Sequence, residues 1–66
     1  MIVYKFKPLD ALKEKGYSAY RLRKEKLIGE AMIQKIRKEE LPSWDALDII
    51  CELLNCQPGD IIEHRS

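Results

Sequence analysis

The sequence predicts a mainly helical single domain, residues 1–66, built from five short helices, with a two-stranded ribbon from the two termini to complete it. Three observations carry this expectation. The chain has only 66 residues, so one small core is the ceiling. Its apolar residues recur three and four apart in short runs, interrupted at Gly16, Gly29, Pro42 and the stretch from Asn55 to Pro58. The two ends, IVYKF and IIEH, are brief, partly alternating and β-prone.

Residues 2–6 read as a strand with Ile2, Tyr4 and Phe6 on one side. Pro8 suits a first helical turn, where its missing N–H is no loss. Leu9 and Leu12 then share a face, and Gly16 fits the position just past a helix end, so the first helix covers about 8–15. Ser18 is a good N-cap. Behind it AYRLRKEK turns Ala19 and Leu22 inward.

The next stretch could be one long helix or two short ones. As one helix it would put Leu22 and Leu27 about 140° apart, which smears the apolar stripe. A mid-helix Gly29 would cost about 1 kcal/mol relative to alanine. A break between Lys26 and Gly29 removes both problems. Leu22 then packs inward from the second helix, Ile28 plugs the corner, and Met32, Ile33 and Ile36 form the inner face of a third helix over about 29–38. Glu30 near its start suits the helix dipole. Pro42 biases Leu41 away from helix, and Ser43 caps a fourth helix whose expected core stripe is Trp44, Leu47, Ile50, Cys51 and Leu54. Asn55 can take the left-handed end conformation. Pro58 starts one further turn before the closing strand.

Charge is unevenly divided. Residues 1–40 hold 11 Lys/Arg against 6 Asp/Glu, and residues 41–66 hold one against five. A basic segment of this kind favours a face that meets phosphates. No apolar run approaches a membrane span, and MIVYKFKP lacks a secretory pattern, so a cytoplasmic protein with no membrane partner is expected. Cys51 and Cys56 do not have a CxxC spacing. Together with the single His64 they cannot fill a tetrahedral zinc site, so they are expected to be reduced core thiols with no metal or cofactor. No nucleophile, base and orienter set and no glycine-rich phosphate loop is present, so no catalytic residue and no enzymatic activity is expected.

From LDALKEKGYSAYRLRKE through IQKIRKEELPSWDALDIICELLNCQPGDIIE the chain resembles helix-turn-helix proteins of the Cro and phage-repressor type, the XRE family. Leu22, Ile28, Ile33 and Ile36 match the motif's interior positions, and the capped fourth helix with its CQPGD turn resembles the ending of small members. The resemblance implies a compact five-helix, lambda-repressor-like domain that binds double-stranded DNA as a small transcriptional regulator. The third helix would enter the major groove. The matching base-contact positions are Gly29, Glu30, Ala31, Gln34 and Lys35, and the phosphate-contact positions are Ser18, Tyr20, Arg21 and Lys38. Half-site recognition implies a homodimer. The chain departs from the family pattern at Arg23, where alanine is usual, at Leu27, where the turn usually has glycine, and at Gly29, where a small polar cap is usual. On this reading Gly29 absorbs the bend. The alternative is an antitoxin-like or assembly subunit that uses the same fold to hold a protein partner, with Trp44 and the fourth helix as anchors. Plain core packing of Trp44 is the competing expectation. A membrane-surface helix fits poorly, because the basic stretch lacks a clean apolar face.

Overall fold

A computed structural model describes all of residues 1–66 and contains five helices and two strands. These are β1 (Ile2–Tyr4), α1 (Pro8–Glu14), α2 (Ala19–Lys24), α3 (Glu30–Arg37), α4 (Trp44–Leu54), α5 (Pro58–Ile61) and β2 (Ile62–His64). The strands pair antiparallel with Ile2 opposite His64 and Tyr4 opposite Ile62. β1 stops at Tyr4 and does not extend to Phe6, which is exposed. The ribbon is held to the helices by Tyr4, whose hydroxyl donates to the Glu40 carbonyl at 2.8 Å. Partial burial pushes that phenol up to about 12.

The first four helices all end the same way. Gly16, Lys26, Glu39 and Asn55 follow the helix ends with φ of 91°, 56°, 63° and 54°. In each case the left-handed residue donates its N–H three residues back and the next residue donates five back: Tyr17 to Leu12, Leu27 to Leu22, Glu40 to Lys35, and Cys56 to Cys51. This is the Schellman arrangement, which satisfies helix-end carbonyls and brings the side chains five apart together. Ser18 and Ser43 cap α2 and α4 by accepting from the N–H groups of Arg21 and Ala46.

The core is one cluster: Leu12, Leu22, Ile28, Ile33, Ile36, Leu47, Ile50 and Ile61. α1 rests on α4 and α3, and α5 closes the end of α4. Two expectations about the core fail. Trp44 is not part of it but stands 88% exposed at the first position of α4. The stripe that buries Leu47 and Ile50 leaves the first residue of the helix outside the core. Cys51 and Cys56 are free thiols that pack half-buried against the cluster and not within it.

Lys26 in a left-handed conformation is strained by its Cβ. Lys26→Gly is expected to raise the unfolding free energy by about 0.5–1 kcal/mol, the relieved strain being partly offset by glycine's greater freedom when unfolded. A urea titration checks this; a lower midpoint would contradict the assigned turn.

Candidate nucleic-acid interface

The segment from Ala19 to Arg37 is two helices and a tight turn, not one cylinder. Its bend differs in detail from the expectation. Lys26, not Leu27 or Gly29, carries the positive φ. Leu27 takes the place after it and packs half-buried against the core. Gly29 is an ordinary extended N-cap at φ −71°, ψ 158°, open to any residue, and a Cβ there would meet nothing within 4 Å. The bend therefore lies earlier in the chain than a glycine-based reading puts it.

Leu22, Ile28, Ile33 and Ile36 are at most 3% exposed. They fix α3 by its inner face, as the interior spacing requires. The outer face is left to Gly29, Glu30, Ala31 and Lys35, all exposed, and Gln34, half-exposed; Lys38 is the exposed C-cap. Eight residues make α3 about 12 Å long, close to the width of the B-DNA major groove.

The polar groups on this face are already ordered. The Arg23 guanidinium donates to Glu30 Oε2 at 2.8 Å, and the Gln34 amide donates to Glu30 Oε1 at 3.0 Å. Arg23, in the place where the resembled family has alanine, thus tethers α2 to the start of α3 across the turn. These bonds, Arg23 first and Gln34 second, hold the Glu30 carboxyl below the usual carboxylate range. No sequence periodicity signals a contact seven residues apart across a bend.

The other expected positions divide. Ser18 is spent as a cap, and with Ala19 and Tyr20 it lines an open groove of about 670 Å³ at the start of α2. Tyr20 is 65% exposed, with the Lys24 ammonium 5.8 Å from its ring centroid. Lys7, Lys13 and Arg37 border the same groove, together with the carboxylates of Asp10 and Glu39. The expected phosphate-contact positions do not include these three cations, although Arg37 belongs with Lys38 to the basic surface expected at the end of the third helix. Arg21 does not line this groove. Its guanidinium lies 4.6 Å over the Tyr17 ring, donates to the Gly16 carbonyl at 3.1 Å and pairs with Glu25. That pair is exposed and adds little stability, but a phosphate would have to compete with Glu25 for the same donor.

The arrangement is a helix with an exposed polar face, flanked by a capped helix start and a groove bordered by three cations and two carboxylates. Helix starts with free N–H groups favour anions, and cations beside an exposed helix face suit a phosphate backbone. No helix is long and apolar enough to cross a membrane. Residues 10–65 match the family model of a Cro/C1-type HTH DNA-binding domain. No curated protein and no solved structure matches the chain significantly.

Proposed function

The chain belongs to the Cro/C1-type helix-turn-helix DNA-binding family, and from that premise we propose that it is a sequence-specific transcriptional regulator that lays α3 in the major groove as a homodimer. The observation that carries this reading is the division of α3. Ile33 and Ile36 are buried, while Glu30, Ala31, Gln34 and Lys35 look outward beside a fixed turn.

Within this proposal Gln34 reads adenine. Its amide nitrogen has two hydrogens. One is held by Glu30, which leaves the other for N7 and the carbonyl oxygen for N6–H. Glu30 therefore aims Gln34 and, in turn, can accept from a cytosine amino group. Ala31 is sized for a thymine methyl, Lys35 donates to guanine or phosphate, and the bare Gly29 lets the backbone approach closely. Ser18, Tyr20, Arg21 and Lys38 meet phosphates, joined by the Lys7, Lys13 and Arg37 cluster. A single module covers only roughly 600–1,000 Å² of DNA-facing surface, which is why a pair of copies on two half-sites is proposed.

Selection of bound sequences from a random duplex pool tests the proposal: a shared core with two-fold symmetry is expected, and recovery of unrelated sequences would remove sequence specificity. Gln34→Ala should relax preference at one base pair by about 1–3 kcal/mol while binding to random duplex barely changes. An equal loss on every duplex would take Gln34 off the base-reading face.

The 88% exposure of Trp44 gives the protein-partner reading one specific support, since tryptophan is a frequent interface anchor. Trp44→Ala that abolishes copurification of a partner while leaving DNA affinity intact would favour it.

A further inference from the structure

We infer that Cys51 and Cys56 form an oxidisable dithiol site: the Schellman end of α4 holds them side by side, and a peroxide converts them to an intramolecular disulfide.

The argument starts from the backbone. Asn55 is left-handed, its N–H donates to Glu52, and the Cys56 N–H donates to the Cys51 carbonyl at 3.0 Å. Standard covalent lengths on either side of that bond keep the two Cα atoms within about 7 Å, the span a disulfide bridges. At the ends of α1 and α2 the equivalent positions hold Leu12 with Tyr17 and Leu22 with Leu27, members of or packed on one apolar cluster. The fourth helix puts two thiols into the same side-by-side geometry. Both are free, both are half-buried, and both line an open groove of about 400 Å³ between α4 and the start of α5, so a small oxidant reaches them.

Both thiols open on the same groove, so either can react first and both orders give the same product. With Cys56 first, its thiolate attacks one oxygen of hydrogen peroxide. The O–O bond breaks, and the departing hydroxide takes a proton and leaves as water. Cys56 is now a sulfenic acid. The Cys51 sulfur attacks the Cys56 sulfur, the S–O bond breaks, and the hydroxide leaves with the Cys51 proton as a second water. Two thiols have lost two electrons and two protons, and the peroxide has been reduced to two waters. The product locks the segment leading into α5 to the end of α4.

The test uses the reduced full chain treated with hydrogen peroxide, followed by alkylation of any remaining thiol and an intact-mass measurement. The expected product is a monomer that has lost two hydrogen atoms, takes up no alkylating reagent and returns to the starting mass with dithiothreitol. Its thermal midpoint lies above that of the reduced chain. Two alkylated thiols after prolonged treatment, disulfide-linked dimers alone, or stepwise oxygen addition without loss of hydrogen would each overturn the inference. Cys51→Ser and Cys51→Ala leave Cys56 alone, and in either one that folds by circular dichroism dimedone should trap a sulfenic acid. Absence of a trapped sulfenic acid both in these variants and in a folded Cys56→Ser would overturn the inference.

Discussion

Leu22→Ala should cost about 2–5 kcal/mol of stability, enough to leave a substantial part of the population unfolded. Leu22 is fully buried and belongs to the single core cluster with Ile28 and Ile33. It is also the residue on which the turn is built, since its carbonyl accepts from Leu27 at 2.9 Å and from Ile28 at 3.4 Å. A cavity at this point loosens the fixing of α3 as well as the core. A domain of this length has only about 3–10 kcal/mol to lose, so one truncation removes a large share. Urea titration by circular dichroism should show the midpoint collapsing with the slope unchanged. Tyr20→Ala, on the exposed face of the same helix, should stay within about 0.5 kcal/mol. Equal, small effects at both positions would mean that α2 is not seated on α3 through Leu22.

Much of this architecture is legible in residue order, and the reasons are local. Gly16 and Asn55 are types that accept a left-handed conformation, so residue type alone marks the ends of α1 and α4. Ser18 and Ser43 announce their helices in the same way. Lys26 and Glu39 adopt the same conformation without belonging to such a type, so the sequence carries no mark of it. A glycine-based reading then moves the bend to Gly29, whose backbone conformation does not require glycine. Buried residues are legible where three- and four-residue spacing continues on both sides, as at Ile33 and Ile36. Trp44 opens its helix and has no preceding turn to fix its direction, so the apolar stripe reaches it in spacing and not in space. On the candidate interface, spacing identifies which residues of α3 look outward. It cannot show that Arg23 and Gln34 converge on Glu30, or that Arg21 folds back on Tyr17 and Glu25. Those contacts depend on the angle between two helices and on side-chain choices that no periodicity encodes.

Salt should weaken the DNA complex steeply, and the slope will say which cations touch phosphate. Arg21 and Lys38, at one phosphate each per copy, release about four counterions from a dimer. By themselves they account for about a hundredfold fall in affinity between about 50 and about 200 mM salt, with Lys7, Lys13 and Arg37 steepening it further. Arg21 and Lys38 are not equivalent in the free protein. Lys38 is exposed at the end of α3 and has no ion-pair partner, whereas Arg21 is paired with Glu25. DNA must exchange that carboxylate for a phosphate, and the exchange consumes part of the gain. Lys38→Ala should therefore lower the slope more than Arg21→Ala, on specific and random duplex alike. Glu25→Gln should act in the opposite sense, strengthening binding to every sequence and steepening the salt dependence, because it frees Arg21 and removes a negative charge beside the backbone. Fluorescence anisotropy with a labelled duplex across a salt series measures all three. If neither Arg21→Ala nor Lys38→Ala alters the slope while paired replacement of Lys7 and Lys13 abolishes it, the phosphate track runs through the groove at the start of α1, and the helix that meets the bases would have to be assigned again from there.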